Sequence, residues 1–167
     1  MIKPIALVLL LIAMAWPIQA QIVADDPDWK ESAVPPAPAF DIKRLISVDV
    51  SAQSQLQWGV DGETITITPS DSVVRYVIVA RSASGVVNAM YEGLYCKRGE
   101  VITYARHNKD SGWVNVSNPE WKSFRNAGGS RHSAMAAKQG LCDASAPPGS
   151  VRAAISKLRN PSQDNVR

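Results

Sequence analysis

Hydrophobic positions along the chain follow two regimes. Before residue 116 they alternate with polar ones or bunch into β-branched runs, and after residue 130 they recur at helical spacing. Residues 45–50 alternate, 56–60 form a short apolar run, 64–68 read Thr-Ile-Thr-Ile-Thr, and Val73–Ser82 is rich in β-branched and aromatic residues. Each of these reads as a strand, with Asp61-Gly62 marking a turn between the second and third. Two more strands are expected at 101–107 and 113–116, separated by the polar turn 108–112.

The centre of the chain reads as a hairpin. Val73–Ser82 and 86–96 are joined around Ala83-Ser84-Gly85, where Gly85 supplies the positive φ of a tight turn. With Ser84-Gly85 as a two-residue loop, Ala83 pairs with Val86. That register groups Val74, Tyr76, Ile78 and Ala80 with Ala89, Tyr91, Gly93 and Tyr95 on an apolar core face. The opposite, mixed face then carries Arg75, Val77, Val79 and Arg81 with Asn88, Met90, Glu92, Leu94 and Cys96. On it Glu92 faces Val77 and lies one diagonal from Arg75, within reach of long side chains.

Helices come late. Ser130 is placed to cap a short helix ending at Gly140, whose position before Leu141 fits a left-handed C-terminal cap. Ser150 caps another, with Val151, Ala154, Ile155 and Leu158 on one stripe and Pro161 stopping it; the last six residues should fray. These elements predict a single α+β domain: a curved, mostly antiparallel sheet of five to seven strands with two short C-terminal helices.

The N-terminal end is a different kind of text. Lys3, an uncharged aliphatic stretch over 5–15, Pro17 and the small Ala20 read as a secretory signal peptide cut after residue 20. The apolar stretch is too short for a spanning helix, which needs about 20 residues, so no transmembrane segment is expected after cleavage. Residues 21–40 hold Pro27, Pro35, Pro36 and Pro38 and should run extended as a proline-rich arm, with Trp29 as its anchor. The organisation expected is a signal peptide at 1–20, the arm at 21–40, the domain at 41–146 and a basic helix with a tail at 147–167.

Composition changes this picture little. With 46% hydrophobic and 20% charged residues the chain is neither disordered nor fibrous. The net charge of +3 is too small to argue for nucleic acid, which is not expected as a partner. The basic residues at the C-terminal end read as a solvated helix face. Cys96 and Cys142 are even in number in an exported chain and read as a pair; a bridge would close a loop of roughly 47 residues, stabilising by about 4 kcal/mol. The competing reading joins them to His107 and His132 as a zinc set, but that spacing matches no compact zinc pattern, and no metal or cofactor is expected.

Specific residues carry a resemblance. Trp29-Lys30-Glu31, Ser72-Val73-Val74-Arg75-Tyr76, Arg81-Ser82-Ala83-Ser84-Gly85, Asn88, Tyr91-Glu92-Gly93, Cys96, Tyr104-Ala105, Trp113, Trp121 and Leu141-Cys142 resemble the cryptic neisserial plasmid protein 1-like family, small exported proteins of Gram-negative bacteria. The resemblance covers residues 27–142, and the segment beyond Asp143 reads as peculiar to this chain. Where the family pattern has an Asp-Gly pair before its Val-Arg-Tyr strand, this chain has Asp71-Ser72. The resemblance implies a periplasmic or envelope-associated protein with two paired cysteines. It names no catalytic residue, since the family carries no established activity.

A search for chemistry finds no Gly-Xaa-Ser-Xaa-Gly elbow, no Ser-Xaa-Xaa-Lys, no His-Glu-Xaa-Xaa-His and no phosphate-cradling glycine loop. Trp58, Trp113 and Trp121 sit among apolar neighbours and read as packing. Two function classes follow. The first is a non-enzymatic envelope module that binds an envelope protein or component through Arg75, Arg81 and Glu92 or through the basic C-terminal helix. The second is a small periplasmic hydrolase or cofactor-dependent enzyme using His107, His132 or Glu92. Two of those three side chains within hydrogen-bond reach in one cleft would favour the second.

Overall fold

The computed structural model describes residues 27–51, 54–125 and 131–161. The expected signal peptide, the start of the arm, the Ser130 cap and the fraying tail lie outside the described residues. The described residues form a single domain around one antiparallel sheet of eight strands: β1 (Leu45–Val48), β2 (Leu56–Asp61), β3 (Thr66–Thr68), β4 (Val73–Ser82), β5 (Val87–Tyr95), β6 (Glu100–Asn108), β7 (Gly112–Asn115) and β8 (Lys122–Ser123). The order is β1-β2-β4-β5-β6-β7, with β3 also pairing β4 and β8 also pairing β6. Seven strands coincide with segments expected from periodicity. β8, two residues long, is too short to leave a pattern.

Two helices follow, α1 (Arg131–Ala136) and α2 (Val151–Arg159). Ser150 caps α2 as expected, its side chain accepting from the Ala153 amide at 3.1 Å. Gly140 departs from expectation. It ends a wide turn, Ala137–Leu141, at φ 163°, which is extended rather than left-handed, so no left-handed cap forms there. Gly140 instead serves close packing: a Cβ would lie 2.8 Å from the Leu158 amide nitrogen. Gln139 bonds the same corner, donating to Ser47 O at 2.7 Å and to Leu158 O at 2.8 Å. Cys96 and Cys142 are joined in a disulfide that ties the end of β5 to this turn.

The sheet is buried on both faces. One face packs Ile46, Val60, Val74, Ile78 and Leu94 against Ala136, Leu141, Ala154 and Leu158 of the helical segment. The other packs Val77, Val79, Tyr91, Ile102 and Tyr104 beneath Ala37, Phe40, Trp113 and Trp121. Burial on both sides explains why β4 reads as a nearly continuous apolar run rather than an alternation. The described part of the arm docks on the second face. Trp29 stacks on Tyr95 with ring centroids 4.3 Å apart and donates from Nε1 to Asp71 O at 2.9 Å, while Trp113 Nε1 donates to Pro38 O at 3.1 Å.

The central hairpin corrects one expectation. Val73 pairs with Tyr95, Tyr76 with Glu92 and Arg81 with Val87, one residue away from the register of a two-residue loop. The loop has three residues, Ala83-Ser84-Gly85, closed by Ser82 N donating to Val86 O at 3.0 Å, with Gly85 at φ 84°. A three-residue loop ending in a left-handed glycine shifts the pairing by one, and a shift of one moves every side chain of the second strand to the other face. Glu92 therefore shares a face with Tyr76, and Arg75 lies on the opposite side of the sheet.

Candidate functional site

Two buried charged residues, one on each face of the sheet, organise the polar chemistry. Arg75 of β4 is 1% exposed and points to the arm side. Its Nη2 donates to Asp71 Oδ2 at 2.7 Å and to Glu31 Oε1 at 3.0 Å, and its Nη1 donates to Thr68 Oγ1 at 2.8 Å. Glu31 comes from the arm and also accepts from the Tyr104 hydroxyl. Burial alone would lower the basicity of Arg75, but its bonds to Asp71 and Glu31 and the neighbouring charges together raise it. Burial likewise pushes the Asp71 carboxyl upward, yet Arg75 and the Val73 and Ser32 amides hold it below the usual carboxylate range. Burial, then Glu31, pushes the Tyr104 phenol well above its usual value. This cluster is a latch that fastens the arm.

Glu92 of β5 is 2% exposed and points to the helix side. Tyr76, its direct partner on β4, donates to Oε2 at 2.8 Å, and Ser133 Oγ donates to the same oxygen at 2.9 Å. The other oxygen, Oε1, lies 3.0 Å from Nε2 of His132. His132 and Ser133 are consecutive at the start of α1, so one turn of helix delivers both. Trp58 of β2 stacks flat on the imidazole, centroids 4.3 Å apart and planes 2° from parallel. The ring is held on one edge and one face. With the carboxylate accepting at Nε2, a neutral ring would carry its proton there and present Nδ1 as an acceptor. Burial, then the Glu92 charge, pushes the Tyr76 phenol well above its usual value.

Glu92 and His132 line a cleft of about 520 Å³. Its walls carry Thr103, Arg106, Ser117, Asn118, Glu120 and Lys122. A β-bulge builds that wall: Tyr91 pairs with Ala105 but Glu92 pairs with Thr103, leaving Tyr104 as the extra residue of β6. Tyr104 and Ala105 both join the arm-side cluster, so Arg106, opposite Met90, returns to the cleft side. Without the bulge, Arg106 would lie under the arm. Tyr104 itself lies over Gly93, where a Cβ would collide with its hydroxyl.

The expected binding trio does not assemble. Arg75 is in the latch, Glu92 is on the opposite face, and Arg81 is exposed at the end of β4, donating to Gln57 Oε1 at 2.7 Å. Of the three expected acid–base candidates, His132 and Glu92 meet. His107 lies on the arm face, edge-on to Phe40 and Trp113 at 5.1 and 5.2 Å. Sequence reasoning missed Glu31, Asp71, Tyr76 and Ser133 as partners. The signal for them was the presence of Arg75 and Glu92 inside apolar strands, since a buried charge needs a partner.

Residues 24–159 match the model of the CNP1-like family. The chain belongs to the CNP1-like family. The CNP1-like match runs through residue 159, so α2, which buries Ala154 and Leu158, is family structure rather than an appendage peculiar to this chain. Both buried charged clusters lie within the matched span. No curated protein and no solved structure matches the chain. Among the described residues no helix is long and apolar enough to cross a membrane.

Proposed function

We propose that the mature protein is an exported, non-enzymatic binding module of the bacterial envelope, and that its ligand site is the Glu92–His132 cleft. The observation that carries this reading is a buried imidazole fixed by Glu92 and Trp58 at the wall of a cleft. Pockets of roughly 300–1,000 Å³ with a few placed polar groups are the usual form of small-molecule sites. The signal-peptide pattern and the disulfide support an oxidising, exported setting. Glu92 is engaged by three partners, the Ser133 hydroxyl among them is fully buried, and among the described residues none but Glu92 bonds the His132 ring, a pattern that supports positioning rather than nucleophilic attack.

Native mass spectrometry of the protein recovered from a periplasm tests this. The expected species begins at Gln21, carries the disulfide, and retains a small molecule that is lost in Thr103→Trp, which fills the cleft beside Glu92 and removes none of its three hydrogen-bond partners. A chain held in the cytoplasm with residues 1–20 attached would overturn the export reading. A retained molecule unaffected by Thr103→Trp would overturn the cleft reading.

One observation favours a second reading. A carboxylate 3.0 Å from an imidazole in a cleft is also the arrangement of a general base acting on water. Release of the retained molecule in cleaved form by the parent, and not by His132→Gln, would establish a hydrolase.

A further inference from the structure

We propose that the cleft takes a small carboxylate bearing a proton donor beside the carboxyl group, an amino acid or a hydroxy acid. The inference rests on the cleft reading above and names its ligand class. Three observations specify that chemistry. At the cleft wall, His132 is nine-tenths buried, and its Nδ1 bonds no other described residue. In the neutral ring, with Nε2–H committed to Glu92, Nδ1 accepts, so the ligand donates to it. Nδ1 is not among the buried unpartnered atoms of the described residues, so it is reachable from the cleft, and an acceptor there favours ligands that bring a donor over those that lack one.

The cleft also carries two exposed cations, Arg106 and Lys122, neither in an ion pair with a described residue. They arrive from different elements. Arg106 is turned into the cleft by the bulge in β6, and Lys122 is brought to it by the pairing of β8 with Val101. Two independent devices thus bring positive charge to the same cleft, and a carboxylate is the complementary group. The one exposed acid of the lining, Glu120, repels a simple anion but pairs with an ammonium. A ligand with a carboxylate and an adjacent amine satisfies all of these groups, whereas a hydroxyl satisfies all but Glu120.

The test uses the full mature chain and three acids that differ at one position: glutamate, 2-hydroxyglutarate and glutarate, with sorbitol as a neutral polyol. The two histidines of the chain give two sets of imidazole NMR signals, one in the cleft and one on the opposite face of the sheet. Glutamate or 2-hydroxyglutarate is expected to shift the His132 signals and leave His107 unmoved, with glutarate at least about tenfold weaker. Arg106→Gln with Lys122→Gln, both exposed positions, should weaken binding by about tenfold or more. Glutamate binding tighter than 2-hydroxyglutarate, with the difference erased in Glu120→Gln, identifies the amine as the donor; the reverse order identifies the hydroxyl. Glutarate equal to the other two overturns the donor requirement. Sorbitol moving His132 when no acid does overturns the carboxylate class while leaving the cleft reading intact. No probe moving His132 overturns the proposal, and the retained-molecule experiment then decides the cleft reading separately.

Discussion

Replacing Glu31 by alanine asks whether the latch or the apolar contacts hold the arm. The substitution removes two hydrogen bonds that end on one carboxylate oxygen, from Arg75 and from Tyr104. Hydrogen bonds to charged groups contribute about 1.5–3 kcal/mol each. Glu31 is 19% exposed on its side chain, so solvent screens part of that, and Arg75 keeps Asp71 and Thr68. The expected loss is about 2–3 kcal/mol, against about 0–1 kcal/mol for an ordinary surface ion pair. Glu31→Gln keeps an acceptor and loses the charge, so it should cost about 1 kcal/mol.

Urea unfolding followed by tryptophan fluorescence measures the global loss, since Trp29 of the arm meets Trp121 edge to face at 5.7 Å. Amide exchange at residues 30–40 separates local release of the arm from global unfolding. A double-mutant cycle with Tyr104→Phe should return a coupling of about 1 kcal/mol. A Glu31→Ala loss below about 0.5 kcal/mol with no coupling to Tyr104 would refute the latch and leave Trp29 and Phe40 as the fastening.

Other outcomes follow from the same structure. Asp71→Asn should cost about 3–5 kcal/mol at neutral pH, because it takes a charged partner from buried Arg75. The Asp71 carboxyl is held below its usual range, so its contribution is present above about pH 4 and is lost as the pH falls toward the folded value; the gap between parent and variant in acid titrations of stability should therefore narrow below about pH 4. Ser72→Gly should raise the unfolding midpoint, with a gain of up to about 1 kcal/mol, since Ser72 sits at φ 58° where glycine is unstrained. Replacing both Cys96 and Cys142 by serine should cost about 4 kcal/mol for a bridge of sequence separation 46, read as a lower urea midpoint that reductant does not lower further. Gly93→Ala should displace Tyr104 and cost about 1–3 kcal/mol, visible as faster exchange of the arm amides.

Much of the architecture is legible in the residues. Alternation at β1 and β3, the β-branched run of β4, the Ser150 cap and the apolar stripe of α2 each report a local preference that the tertiary structure keeps. Trp29 is legible as an anchor because it is the large apolar residue in a polar, proline-rich segment. What fails is parity. The turn Ala83-Ser84-Gly85 accommodates either two or three loop residues, and its glycine serves both, so the face of Glu92 hangs on a choice that the turn residues do not determine. The apolar pattern does not rescue the choice, because both faces of the hairpin are buried and the usual penalty for a slip is muted. The Glu92–His132 contact spans 40 residues between a strand and a helix, and its geometry exists only once the sheet is assembled. The bulge that turns Arg106 leaves no mark in Thr103-Tyr104-Ala105-Arg106 that separates it from plain alternation.

The arm has a further consequence, in time rather than in space. Its partners stand far downstream: Asp71 lies 42 residues from Trp29, Arg75 lies 44 from Glu31, Tyr104 lies 73 from Glu31, and Trp113 lies 75 from Pro38. Among the first segments of the domain to be synthesised, it cannot complete its docking until β6 and β7 exist, and closing such long loops is slow relative to forming the hairpin. Between the formation of those strands and the docking of the arm, Tyr91, Tyr104 and Trp113 form an uncovered aromatic face on a nearly complete sheet, the kind of surface on which partly folded chains aggregate. The prolines at 35, 36 and 38 bear on this interval, since a segment already restricted in φ loses less entropy when it docks. The arm thus acts as the final clasp of folding, and any condition that delays it lengthens the period in which the protein is most exposed to its neighbours.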